Sequence, residues 1–175
     1  MIGEDRRQLT VVIAIISDTH LPKGNRRIPQ ACLERLRVAD AIVHAGDLST
    51  LDVLDELTRL GPPVTAVHGN VDDAVTRAAL PHSATLATPH GQTIAVVHDA
   101  GQRAGRRQRL QRRFPEADLV VFGHSHLPLH ECDPQTGFQI VNPGSPTERR
   151  RAPAHTMAIA TSTPDGVRVE LIELD

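Results

Sequence analysis

The chain has 175 residues, a length that suits one domain and is short for two. Its 19 basic and 21 acidic residues give a net charge of −2, and only 2% of its residues are aromatic. This balance argues against a nucleic-acid polymer or a membrane surface as the partner, because both favour an excess of positive charge. The scarcity of aromatic rings also argues against stacking on single-stranded nucleic acid.

Strands and helices alternate in the first part of the chain. Strands are predicted at Val11–Ile16, Ala41–Ala45 and Val64–Val67, and helices at Pro29–Val38 and after Ser49. Val11–Ile16 is a continuous β-branched run, which is typical of a strand buried on both faces. Ser49 is placed to cap the second helix, whose leucines recur at helical spacing. The alternation predicts parallel pairing of these strands.

The second part of the chain is richer in strands and turns. Strands are predicted at Ala84–Ala87, Thr93–His98, Leu119–Phe122, Phe138–Val141, Thr156–Thr161 and Val167–Leu174. One helix is predicted at Ala104–Phe114, and turns are predicted at Asp133–Gly137 and Pro164–Gly166. We therefore expect a mostly parallel sheet joined to a more antiparallel one, with helices outside.

Polar side chains follow five of the predicted strands at the point where each strand ends. Ligands of α/β proteins bind beyond the carboxyl ends of the strands, so these side chains are expected to converge there. Seven of them are candidate metal ligands: Asp18, His20, Asp47, Asn70, His98, His124 and His126. Imidazole nitrogens and carboxylate oxygens together favour first-row transition metals.

Seven ligands are too many for one tetrahedral ion. They suit two ions of higher coordination number that share a bridging carboxylate, an arrangement that acts as a clamp for displacement at phosphorus. Two divalent cations, two carboxylates and a hydroxide would leave a net positive site, which would attract an anionic phosphate.

The motifs Asp18-x-His20, Gly46-Asp47, Gly69-Asn70, His98 and Gly123-His124-x-His126 resemble the calcineurin-like metallophosphoesterase superfamily. With Asn142-Pro143-Gly144-Ser145, they are most similar to its small bacterial and archaeal phosphodiesterases, a subgroup related to the retromer subunit Vps29. The resemblance implies an α/β fold: a four-layer αββα sandwich of two mixed sheets, with a dinuclear metal site at the carboxyl ends of the strands. It implies that Asp18, His20 and His126 hold the first ion, that Asn70, His98 and His124 hold the second, and that Asp47 bridges them. Mn²⁺ is the favoured metal, with Ni²⁺, Fe or Zn²⁺ as alternatives.

The same resemblance implies a metal-dependent phosphoesterase, with a phosphodiesterase favoured. A metal-bridging hydroxide would attack phosphorus in line, and Asp47 and Asn70 would be catalytic. Many members of the superfamily carry a leaving-group histidine directly after the asparagine, where this chain has Val71. His68 and Asp72 flank that gap and are candidate substitutes. We therefore expect activated aryl esters to be better substrates than alkyl esters.

Three other features carry open alternatives. Asp99 either orients His98 or belongs to a turn, and His44 is expected to be buried. The arginines of residues 103–113 form a solvated helix face, or else one or two of them hold an anionic substrate. The alternative to an enzyme is a Vps29-like protein-binding scaffold that retains the metal site.

Location and assembly are expectations of the same kind. Cys32 and Cys132 are the only cysteines, so no disulfide framework is indicated, and Val11–Ile16 is too short to span a bilayer. We expect a single cytoplasmic domain over residues 1–175, with residues 1–9 as a loose N-terminal extension. Its substrate would be a small phosphate ester, and homo-oligomerisation stays open.

Overall fold

The computed structural model of the protein describes residues 10–174, so the predicted extension at residues 1–9 lies outside the described part. Within it, ten strands and four helices follow one another along the chain. The strands are β1 (Val11–Ile16), β2 (Ala41–His44), β3 (Val64–Ala66), β4 (Ser83–Ala87), β5 (Thr93–Val97), β6 (Leu119–Val121), β7 (Leu129–Cys132), β8 (Gln139–Asn142), β9 (Thr156–Thr163) and β10 (Gly166–Glu173). The helices are α1 (Gln30–Val38), α2 (Leu51–Thr58), α3 (Ala74–Ala79) and α4 (Arg106–Arg113).

The first sheet has the strand order β10-β9-β1-β2-β3. Its strands β1, β2 and β3 run parallel, as the alternating pattern predicts, and Ile13 pairs with Ala41 in their register. The hairpin of β9 and β10 adds to the other side of β1 in antiparallel orientation. The last two strands of the chain therefore lie beside the first strand.

The second sheet has the order β4-β5-β6-β8-β7. Its central strands β5, β6 and β8 are parallel, and β4 and β7 are antiparallel edges. The expected contrast between a mostly parallel and a more antiparallel sheet is therefore wrong, because each sheet has two parallel and two antiparallel strand pairs. The helix α4 crosses from β5 to β6 and makes that pair parallel.

Three apolar clusters define four layers. Side chains such as Ile15 and Val43 of the first sheet pack against Ile94 and Val121 of the second. Cys32 and Leu36 of α1 and Val53 and Leu57 of α2 cover the outer face of the first sheet. Leu110 of α4 covers the outer face of the second sheet with Phe122 and Phe138. The fold is the αββα sandwich of two mixed sheets that the resemblance implies.

The local predictions differ from the structure at three places. The short elements α3 and β7 are not in the sequence prediction. Ser49 does not cap α2: the helix begins at Leu51, the residue before it is Thr50, and no side chain caps it. The Ser49 amide instead donates to the Asp72 carboxylate at 2.6 Å, so Ser49 ties the loop after β2 to the loop after β3. Within residues 10–174, no helix combines the length and apolar character needed to cross a membrane.

Candidate metal centre

The loops that follow β1, β2, β3, β5 and β6 meet at one edge of the sandwich. The backbone of the first loop is fastened to the second, since the Asp18 amide donates to Gly46 at 2.9 Å and the His20 amide to Asp47 at 3.0 Å. The two sheets are joined there as well, because the His98 Nδ1 donates to the Ala45 carbonyl at 2.8 Å. The predicted convergence of the strand ends is therefore found in the structure.

The backbone is left-handed at most of the predicted ligand positions. Five of these residues have a φ between 47° and 70°, a region that residues other than glycine rarely adopt: Asp18, His20, Asp47, His124 and His126. Each such residue costs about 1–3 kcal/mol, so it persists only where the surroundings enforce it. Five such residues lie in these loops. The fold therefore holds their side chains in fixed directions despite the energetic cost to the backbone.

Asp18, His20 and His126, which we call the first-ion half, form a compact and buried group. Their candidate ligand atoms all lie within 4.8 Å of one another. The His126 Nε2 is 3.4 Å from the Asp18 Oδ1 and 3.1 Å from the His20 Nε2. All three residues are buried, with a relative exposure of at most 7%.

Asn70, His98 and His124, which we call the second-ion half, form a more open group. The Asn70 Oδ1 lies 3.1 Å from the His98 Nε2 and 2.9 Å from the His124 Nδ1. Only His98 is buried, whereas Asn70 and His124 are exposed.

Asp47 lies between the two halves. Its Oδ2 is 3.6 Å from the His20 Nε2 and 3.3 Å from the His98 Nε2. Its other oxygen accepts the Val71 amide at 3.0 Å, which fixes the orientation of the carboxylate. This position is the one that a bridging carboxylate requires.

The chemistry of these atoms fits a cation. The His126 Nδ1 donates to the Glu148 carbonyl, so its Nε2 is left with a lone pair in the neutral ring. That lone pair faces the His20 Nε2 and the Asp18 carboxylate. In the second-ion half, the His98 Nε2 faces two oxygens, from Asp47 and Asn70. So many acceptors at short range need a proton or a metal ion between them.

Burial and neighbouring charges shift the pKa values of these residues in different directions. Burial raises the pKa of Asp18 to about 7. Burial alone would raise the pKa of Asp47 too, but hydrogen bonding and charge attraction from His98 lower it to about 2. Burial lowers the pKa of His20, and lowers that of His126 to about 4. Burial would also lower the pKa of His98, but the hydrogen bond to Asp47 and the negative charges of Asp18 and Asp47 together outweigh it and raise the pKa.

The glycines of the motifs make room for these carboxylates. A Cβ at Gly69 would overlap the Asp47 carboxylate and lie 2.5 Å from its backbone nitrogen. A Cβ at Gly123 would overlap the Ser17 hydroxyl and lie 2.8 Å from the Asp18 Oδ2. A real Cβ does not tolerate such distances, so glycine is required before Asn70 and His124 for steric reasons.

Asp72, Asp99 and His44 have structural contacts. The buried Asp72 carboxylate accepts the Ser49 and Gly69 amides, both at 2.6 Å, and so shapes the turn that carries Asn70. The exposed Asp99 accepts the Gly101 amide at 2.7 Å, as a turn residue does. His44 is fully buried as expected, and burial lowers its pKa to about 3. His68 is half-buried, and its ring lies 5.6 Å from that of His82.

The arginines of α4 mainly hold loops. The Arg109 guanidinium donates to the carbonyls of Ala100, Gln102 and Ala104. The Arg107 guanidinium lies 3.4 Å from the Asp133 carboxylate. The sequence left two alternatives for the arginines of residues 103–113, a solvated face or contact with an anionic substrate. A solvated face describes only Arg103, Arg112 and Arg113, which are exposed.

Sequence reasoning missed one group of residues beside the first-ion half. The segment Ser145–Glu148 follows β8, and its Glu148 side chain lies 3.7 Å from the His20 Nε2. Burial alone would raise the pKa of Glu148, but Arg26 and His20 lower it. The signal available in the sequence was the turn Asn142-Pro143-Gly144-Ser145 directly before this segment.

Fold and site together define an α/β sandwich with a candidate metal centre at the carboxyl ends of its parallel strands. Residues 11–165 match the calcineurin-like phosphoesterase superfamily domain. The chain belongs to that superfamily, and the match supports a metal-dependent phosphoesterase.

One curated relative supports this assignment, and solved structures share the fold. A probable metallophosphoesterase from Methanothermobacter thermautotrophicus is 31% identical over 159 residues, which cover 85% of each chain. A predicted phosphoesterase from Streptococcus pneumoniae has a similar fold, with a TM-score of 0.71 at 19% identity, covering 95% of this chain and 91% of the other. Vps29 from Entamoeba histolytica, solved in complex with Zn²⁺, has a TM-score of 0.70 at 22% identity, covering 94% of this chain and all of the other (100%).

Proposed function

We propose that the protein is a phosphodiesterase that uses two divalent transition-metal ions. Asp18, His20 and His126 would hold the first ion, Asn70, His98 and His124 would hold the second, and Asp47 would bind both. The observation that carries the proposal is the position of Asp47, whose Oδ2 faces a histidine of each half at 3.6 and 3.3 Å. A mononuclear site would not need a carboxylate placed in this way.

Bound there, a pair of divalent ions would supply Lewis acidity, which acidifies a water and stabilises charge on phosphoryl oxygens. Manganese is our first choice because the donors are imidazoles, carboxylates and an amide, without a thiolate. The Val71 amide and the Ala45 carbonyl hold Asp47 and His98 in place, so the ligands need little rearrangement.

The open second-ion half is where we place the substrate. Asn70 is exposed, and its Oδ1 faces His98 and His124. Its amide nitrogen would then donate to a phosphoryl oxygen as negative charge develops. A catalytic role for Asn70 therefore supplements its role as a ligand.

The preference for an activated ester follows from what surrounds Asn70. The residue after it, Val71, is 44% exposed and has no group that could protonate a leaving group. Asp72 is already engaged by two amides. His68 is half-buried at the edge of this loop and is the remaining candidate acid. Aryl esters, whose leaving groups need no proton, are the expected substrates.

The experiment compares hydrolysis of an aryl phosphodiester and an aryl phosphomonoester by metal-depleted protein before and after adding Mn²⁺. We expect activity only with metal and faster turnover of the diester. His98→Ala should remove the activity, whereas His130→Ala is a matched control, because His130 is exposed on the edge strand β7. Full activity of His98→Ala would contradict the proposal.

The competing function is a protein-binding scaffold on the same fold. It predicts that metal binds without measurable turnover of any phosphate ester in the panel. The complete set of seven donors favours the enzyme.

A further inference from the structure

The segment Ser145–Glu148 contacts the first-ion half from behind. The Ser145 hydroxyl donates to the Asp18 carbonyl at 2.8 Å, and the Thr147 hydroxyl donates to the Thr19 carbonyl at 2.6 Å. The Glu148 amide donates back to the Ser145 hydroxyl at 2.8 Å. The segment is therefore tied to the loop that carries two of the three ligands.

Glu148 contacts both histidines of this half with different groups. Its backbone carbonyl accepts the His126 Nδ1, which leaves the Nε2 facing the other ligands. A hydrogen bond of this kind fixes the tautomer of a ligating histidine and raises its basicity. Its carboxylate Oε2 lies 3.7 Å from the His20 Nε2, the same atom that faces Asp47.

The carboxylate is held in place from its other side. The Arg26 Nη1 lies 3.2 Å from the Glu148 Oε2, and the Lys23 Nζ lies 3.6 Å from the Oε1. Arg26 and Glu148 are both largely shielded from solvent, with exposed side-chain fractions of 22% and 19%. Lys23 is 64% exposed and contributes little to the hold. Arg26 therefore holds the carboxylate at the edge of the first-ion half and offsets part of its negative charge.

We propose that Glu148 is a positioning residue for the first ion, which it makes the more tightly bound of the two. Its carbonyl orients His126, and its carboxylate places a negative charge beside the His20 Nε2, on the side of the first ion only. No residue in a corresponding position contributes an acidic side chain to the second-ion half among the described contacts: there the His98 Nδ1 is held by the Ala45 backbone carbonyl alone. The inference rests on the proposed two-metal function.

The test is a calorimetric titration of metal-depleted protein with Mn²⁺. Wild-type protein should bind two ions in two steps of different affinity. Glu148→Gln keeps the backbone contacts and the size of the side chain, and it removes the charge. We expect it to weaken the tighter step about 10- to 100-fold and to leave the other unchanged. Glu148→Asp should restore part of the loss, and Glu116→Gln, in an exposed loop, is the control.

The outcomes separate the two proposals. If Glu148→Gln titrates like wild type, or weakens both steps equally, the role of Glu148 is wrong while the two-metal site stands. If wild-type protein itself does not bind two ions, the proposed function fails first. Melting temperatures without metal show whether a variant is folded. If Glu148→Gln melts at a lower temperature than wild type, the titration of Glu148→Asp gives a second measurement.

Discussion

The two halves of the candidate site are built differently. In the first-ion half all three candidate ligands are buried and lie in loops with left-handed backbone, and Glu148 contacts two of them from behind. In the second-ion half Asn70 and His124 are exposed. We infer that the two halves have different roles: the buried half binds an ion firmly, and the open half admits the substrate.

Asp47 belongs to both halves, so its removal should have the largest effect. Asp47→Ala takes away the shared carboxylate and leaves His20 and His98 without their common partner. We expect phosphoesterase activity to fall at least about 10³-fold and bound metal to fall below two ions per chain. Steady-state rates and elemental analysis of the dialysed variant provide the measurement. A variant with wild-type rates would show that the two halves are independent.

Removing one histidine from each half should separate stability from metal binding. His126→Ala empties a buried position and leaves the Glu148 carbonyl without its donor, so we expect a loss of about 2–4 kcal/mol in the free energy of unfolding. His124 is exposed, so His124→Ala should change the free energy of unfolding by less than about 0.5 kcal/mol. Both should weaken metal binding. Denaturant unfolding of the metal-depleted variants tests this, and equal destabilisation would remove the contrast between the halves.

The close approach of Gly69 to Asp47 predicts a steric effect. Gly69→Ala must displace the shared carboxylate or its backbone, at a cost of about 1–3 kcal/mol, and should also weaken metal binding. Gly137→Ala is a control for metal binding only: nothing lies within 4 Å of the Cβ it would add, but its φ of 75° strains an alanine there, so we expect a loss of stability without a loss of metal affinity. Thermal unfolding and metal titration of the two variants give the comparison. Normal metal affinity in Gly69→Ala would mean that the loop adapts.

Metal affinity should fall as the pH is lowered through about 7. The Asp18 carboxyl, whose pKa burial raises to about 7, holds a proton below that pH, and a divalent ion must displace it. The raised pKa of His98 acts in the same direction, whereas His20 and His126 have lowered values and add nothing near neutral pH. We expect up to about a tenfold loss of affinity per pH unit for each proton displaced. Titrations between pH 8 and pH 5.5 check the slope, and a flat profile would contradict the buried state of Asp18.

The smallest effect concerns the open half. Val71→His places a titratable ring beside Asn70 and should speed the hydrolysis of alkyl phosphodiesters by about tenfold, below the 10²–10⁴-fold of an established general acid. Aryl diesters should change little, because their leaving groups need no proton. The ratio of kcat/KM for the two substrates is the measurement. An unchanged ratio would mean that the missing acid does not limit the reaction.

The sequence predicts most of the fold because the strands are buried apolar runs, such as Val11–Ile16. The pattern of such a run identifies a strand without knowledge of its neighbours in the fold. It misses β7 and α3 for physical reasons. β7 is a short edge strand with alternating burial, and α3 has six residues and one buried side chain, Thr76. Neither carries an apolar pattern long enough to recognise.

The sequence indicates the candidate ligands because each follows a predicted strand, where polar residues or a glycine mark the turn. Glu148 could not be found in this way. It lies in a charged stretch with Arg149 and Arg150, which is typical of solvated surface, and only the fold brings it to His20. The contacts of α4 were equally hidden, since Arg107 and Arg109 hold loops that the sequence does not place beside them.

The most direct test of a two-metal centre is anomalous diffraction from crystals of the manganese-loaded protein. We predict two peaks about 3.5–4 Å apart. One should lie among Asp18, His20 and His126 and the other among Asn70, His98 and His124, with Asp47 in contact with both. A single peak, or a pair located elsewhere in the protein, would contradict the account.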